Sequence, residues 1–136
     1  PHDPVLLNNY GFCMMAIDSE VAATNLKQAA SAFGYPWVVN IANRMLVHYR
    51  GGDYVEALRL GRLYAEGGGR LSGGTATLWH MDDTKTILES ADPEAYVFEI
   101  ARRCLLHSGD EDMERFWHRY MRSHAMSGSG VHDDGC

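Results

Sequence analysis

The sequence predicts an all-α fold: three antiparallel helical hairpins, about seven helices in all, stacked as a short solenoid. Three observations predict it. Trp37, Ile41, Met45 and Tyr49 recur every fourth residue and so share one helical face. Gly51-Gly52 interrupts that helix, and Asp53 stands where it can cap a second one whose apolar positions are Val55, Leu58, Leu60, Leu63 and Tyr64. The punctuation then repeats. Pro36 and Pro93 lie 57 residues apart (93 − 36), as do Gly52 and Gly109 (109 − 52), and each glycine is followed by aspartate.

The elements follow in order, within a single helical-repeat domain over 1–126. Residues 3–34 read as the first hairpin. Asp3-Pro4 is a helix start, because proline suits the first turn. Val5, Leu6, Tyr10, Cys13, Met14 and Ile17 keep helical spacing, and Asp18-Ser19-Glu20 breaks the pattern and offers a cap. Val21 to Phe33 is an alanine-rich helix, whose small residues let neighbours approach closely. Residues 36–68 form the organising hairpin, with Gly52 expected at a positive φ. The inserted segment 69–91 is expected to be a flexible glycine-rich loop followed by one unpaired helix over 75–90, its apolar members Leu78, Trp79, Met81, Ile87 and Leu88. The loop lacks the Gly-Lys-Ser/Thr of a phosphate loop. Residues 92–126 form the last hairpin, starting at Asp92-Pro93 and turning at Ser108-Gly109-Asp110. Residues 127–136, mostly Ser, Gly, His and Asp, read as a tail.

Composition bounds the function. A chain of 136 residues can bury a sizeable core, and 46% apolar residues excludes a disordered chain. The formal net charge of −6 disfavours a phosphate backbone as partner. No apolar run approaches the roughly 20 residues of a membrane span, so direct membrane insertion is not expected. Cys13, Cys104 and Cys136 are odd in number and widely spaced, which fits a reducing compartment better than a disulfide scaffold. The start at Pro1 is compatible with a removed transit peptide.

The run Tyr49-Arg50-Gly51-Gly52-Asp53-Tyr54-Val55-Glu56-Ala57-Leu58-Arg59-Leu60, followed by Tyr64 and Gly67, resembles the core of a pentatricopeptide repeat, with tetratricopeptide repeats the nearest confusable family. Leu106-His107-Ser108-Gly109-Asp110 and Met121 match less fully, and the first hairpin matches in length and pattern. The resemblance implies a mitochondrial, matrix-side protein and two candidate functions. One is binding of organellar RNA, in which a polar residue on the first helix of each repeat reads a base. The matching positions here are Ala42 and Glu99, neither of them a usual base reader, and residues 69–91 interrupt the array. The other, which we favour, is a non-catalytic subunit docked on other proteins of a mitochondrial complex, with the catalytic head of ATP synthase the expected partner. Trp37, Trp79 and Trp117 and the arginines Arg44, Arg59 and Arg62 are the interaction candidates, since aromatics and arginines anchor interfaces, although a core position suits at least two of the three tryptophans better.

No catalytic residue, cofactor or metal is assigned. Seven histidines (His2, His48, His80, His107, His118, His124 and His132) are scattered; Cys104 and His107 lie one turn apart, yet their spacing to His118 and His124 fits no standard zinc finger. Asp82-Asp83 beside His80 reads as capping chemistry. Ser-His-Asp, Gly-x-Ser-x-Gly and His-Glu-x-x-His patterns do not occur.

Overall fold

Six helices carry the structure, a computed structural model that describes residues 3–33, 37–67, 76–79, 87–90 and 93–132 and, for 76–79, 87–90, 93–94 and 124–132, their backbone. Helix α1 (Pro4–Met14) begins where proline occupies the first turn, and Asp3 Oδ1 accepts the Val5 N–H at 2.8 Å. Helix α2 (Ser19–Phe33) is capped by Asp18, whose Oδ1 accepts the N–H groups of Glu20 and Val21 at 3.1 and 3.2 Å. Gly11 brings the two helices together: a Cβ there would lie 2.7 Å from Leu26 Cγ. The expected hairpin boundary at Gly34, Tyr35 and Pro36 lies outside the described residues.

Helices α3 (Val38–Arg50) and α4 (Tyr54–Glu66) form the organising hairpin. Its turn has a specific hydrogen-bond pattern. Gly52 sits at φ +83°, Gly52 N–H donates to Tyr49 O at 3.1 Å, and Asp53 N–H donates to His48 O at 2.8 Å. This is the Schellman closure, in which one left-handed residue lets two orphan helix carbonyls find donors. Asp53 Oδ1 then caps α4 by accepting the Glu56 N–H at 3.4 Å. Helices α5 (Pro93–Leu105) and α6 (Glu111–His132) repeat the left-handed glycine and the aspartate cap: Gly109 sits at φ +69°, and Asp110 Oδ1 accepts the Met113 N–H at 3.0 Å, while α5 itself ends earlier, with Leu106 N–H on Arg103 O and His107 N–H on Cys104 O. The second helices of these two hairpins begin 57 residues apart (111 − 54).

The core is centred on α3, which packs against α2, α4 and α5, while α4 also meets α5 and α6. Enclosed on several sides, α3 buries Val38, Val39, Ile41, Ala42, Met45, Leu46 and Val47. Its two end aromatics, Trp37 and Tyr49, remain partly exposed. Among the described residues Trp117 of α6 is the largest fully buried side chain, and its indole N–H donates to Leu58 O at 3.2 Å. Gly61 makes room for it: a Cβ there would stand 2.8 Å from both Trp117 Cζ2 and Met45 Cε.

Two expectations are corrected. The segment expected to form a seventh helix instead carries two short strands, β1 (Ala76–Trp79) and β2 (Ile87–Ser90), paired antiparallel with Thr77 opposite Glu89 and Leu78 opposite Leu88. The apolar residues there do have helical spacing, but β-branched Thr75, Thr77, Thr84, Thr86 and Ile87 favour strands, and Asp82-Asp83 stands midway between the two runs. The expected tail also shortens, because α6 continues to His132. No proline follows Pro93, so no backbone donor is lost, and Gly128 and Gly130 each cost a helix only about 1 kcal/mol. The glycine-rich stretch 68–75 and the terminal residues 133–136 lie outside the described residues.

Candidate functional site

Two of the six interaction candidates meet in one place. Arg44 of α3 and Arg59 of α4 line a cleft of about 350 Å³ with Ala23, Thr24 and Lys27 of α2, Val47 and His48 of α3, and Asp53 and Glu56 at the start of α4. The helices place these residues by simple periodicity. Arg44 and His48 are four apart on α3, and Glu56 and Arg59 are three apart on α4, so each pair shares a face.

Charge in the cleft is unevenly satisfied. The Arg59 fork grips the Glu56 carboxylate, with Nε 2.8 Å from Oε1 and Nη2 on Oε2. That bidentate bond holds the Glu56 carboxyl below its ordinary range and raises the Arg59 guanidinium. Arg44 is half-buried; burial, with the Arg59 charge beside it, lowers its pKa, while Glu56 pulls the other way. His48 Nδ1 stands 3.7 Å from Asp53 Oδ2, yet burial outweighs the attraction of Glu56 and Asp53 and holds the imidazole below its ordinary value.

The other candidates stand apart from this cleft. Arg62 points its Nε at Glu66 Oε2 (2.9 Å) and lies 4.3 Å over the Phe116 ring. Trp37 meets Phe33 edge-on at 4.7 Å between ring centroids. Trp79 lies in β1, where the backbone alone is described. Trp117 is corrected from surface anchor to core residue: its side chain has no exposed area, and a buried indole cannot reach a partner without unfolding α6. Sequence reasoning missed Thr24, Lys27, Asp53 and Glu56 as lining residues. The Glu56–Arg59 spacing was a readable signal for the α4 wall of the cleft; the approach of α2 had none, since it is tertiary.

Cys104 and His107, weighed for zinc, lie in different surroundings, and the side chain of His124 lies outside the described residues. Cys104 is buried, which pushes its thiol up to about 12, whereas His107 is exposed and stacks on Tyr54 at 4.8 Å. Among the described residues no three His, Cys, Asp or Glu side chains gather where they could hold an ion, and no helix is long and apolar enough to cross a membrane. His80 and Asp82-Asp83 lie outside the described residues. Compared with known proteins, the chain matches no family model, and no curated protein or solved structure is significantly similar to it.

Proposed function

We propose that this chain is a pentatricopeptide-like helical-repeat subunit, a three-hairpin solenoid that performs no chemistry and docks on other proteins of a mitochondrial complex. The observation that carries the reading is the repeated turn. A left-handed glycine followed by a capping aspartate stands in the turn of both the second and third hairpins, 57 residues apart. The neighbour relations α3–α5, α4–α5 and α4–α6 are those of helix pairs stacked in series.

Two positions favour protein docking over RNA reading. Ala42, at the base-reading position of the second repeat, is wholly buried in the core and has no polar atom to offer. Glu99, at that of the third, is engaged by Arg102 at 3.0 Å and Arg103 at 3.2 Å. In size, hairpin number and lack of a base-reading code the chain is similar to the small pentatricopeptide-like subunit on the catalytic head of euglenozoan mitochondrial ATP synthase, so that head is the partner we name. The test is native electrophoresis of a mitochondrial extract after mild detergent. Migration with ATP synthase supports the proposal; migration as a free monomer, or salt-sensitive capture on single-stranded RNA instead, refutes it.

A further inference from the structure

We propose that the cleft between α2, α3 and α4 is a receptor for an acidic side chain of a partner protein, whose carboxylate inserts between Lys27 and Arg44. The proposal rests on the docking reading and names the chemistry of one contact in it. On a chain of formal net charge −6, this cleft holds three cations, Lys27, Arg44 and Arg59, against two carboxylates. Both carboxylates are already engaged. Glu56 is held by the Arg59 fork, and Asp53 caps α4 through one oxygen and faces His48 through the other. Among the described residues no carboxylate lies within ion-pair distance of Lys27 or Arg44.

The two unclaimed cations differ in a useful way. Lys27 is exposed and can swing, whereas Arg44 is half-buried between α2 and α4, so water solvates it incompletely. A carboxylate reaching Arg44 gains a charge-assisted hydrogen bond in a partly desolvated site, where such bonds are stronger than on an open surface. The cleft has room for a Glu or Asp side chain together with several waters of about 30 Å³ each. Thr24 and His48 add neutral polar groups to its wall.

The experiment is a nuclear magnetic resonance titration of the intact chain with a short peptide carrying Glu-Glu, its Gln-Gln counterpart, and inorganic phosphate. The Glu-Glu peptide is expected to shift the His48 ring and Arg44 Nε–H resonances saturably. The Gln-Gln peptide leaves them in place, and Lys27→Gln and Arg44→Gln each weaken binding about tenfold, the loss of one charge-assisted contact. Lys27 is exposed, so its variant tests the site even if Arg44→Gln folds poorly. No shift, equal shifts with both peptides, or full affinity in Lys27→Gln overturns the proposal. Shifts with phosphate and none with the Glu-Glu peptide overturn it too, and mark a small-anion site. Native electrophoresis separates the two readings: if wild type and Lys27→Gln both travel with the complex, the cleft is not the contact and docking stands; if wild type travels alone, docking itself fails.

Discussion

Gly51 and Gly52 are adjacent, identical in composition, and opposite in what alanine would do to them. Gly52 sits at φ +83°, and a Cβ built on it meets nothing within 4 Å. The penalty of Gly52→Ala is therefore purely conformational, about 1–2 kcal/mol for an L-residue in the left-handed region. Against this, alanine restricts the unfolded chain and returns about 0.4–1 kcal/mol. The net expectation is a loss of about 1 kcal/mol. Gly51 has φ −85° and ψ −1°, and its Cβ would rest 3.5 Å from Val47 O, an ordinary contact. Gly51→Ala thus keeps the unfolded-state term alone and stabilises by about 0.5 kcal/mol. The gap of about 1.5 kcal/mol corresponds to roughly 5 °C in melting temperature for a chain of this size. Thermal and urea unfolding followed by circular dichroism measure it. Gly109→Ala, at φ +69° and equally unobstructed, should lose as much as Gly52→Ala. Shifts of the same sign at 51 and 52 would refute the left-handed closure, and with it the turn on which the repeat depends.

Trp117→Ala should cost about 3–5 kcal/mol, since it empties the largest buried site; a change within about 0.5 kcal/mol in urea unfolding would return Trp117 to the surface. In a Cys136→Ser background, native protein should react with a thiol reagent at exposed Cys13 and resist at buried Cys104, and mass spectrometry showing equal labelling would contradict the burial. His48 titrates below its ordinary 6.5 because burial and the Arg44 and Arg59 charges outweigh Glu56 and Asp53. As pH falls through 6.5 the unfolded chain binds its proton first, so stability declines until the lower folded value is passed; His48→Gln should remove that part of the decline between pH 7.5 and 5.5, and an unchanged profile would count against it.

The parts of the fold that were legible are those set by local chemistry. Pro4, Asp18, Gly52-Asp53 and Gly109-Asp110 start and stop helices through bonds within a few residues, so their meaning is written in the adjacent sequence. The segment around Leu78 and Ile87 misled because five apolar residues can be fitted to a helical period while their threonine neighbours favour a strand; short apolar runs do not decide between the two. A core position was legible for at least two of the three tryptophans, but not that Trp117 is one of them, because its burial depends on Gly61 of a helix more than fifty residues earlier leaving space for an indole. The cleft was half legible: Arg44 and Arg59 were picked out singly, the Glu56 bond that occupies Arg59 lies within α4 and follows from spacing, and the placing of Arg44 beside that pair is visible only when α3 and α4 stand side by side.

Helices α1 and α2 lack a Gly-Asp turn between them, and something else must fix them against α3. Asn40 supplies it. Its side-chain amide sits 1% exposed on α3 and donates one hydrogen to Asn8 Oδ1 on α1 and the other to Leu26 O on α2, both at 3.0 Å. Both donors are thereby satisfied inside the core, where leaving either unmet would cost about 1–3 kcal/mol. Apolar contacts alone would let α1 and α2 slide along α3, since dispersion is indifferent to small shifts; two directional bonds from one amide to two helices are not. The chain therefore fixes its helices by two different means: a left-handed glycine with a capping aspartate in the α3–α4 and α5–α6 turns, and a buried amide that ties α1 and α2 to α3.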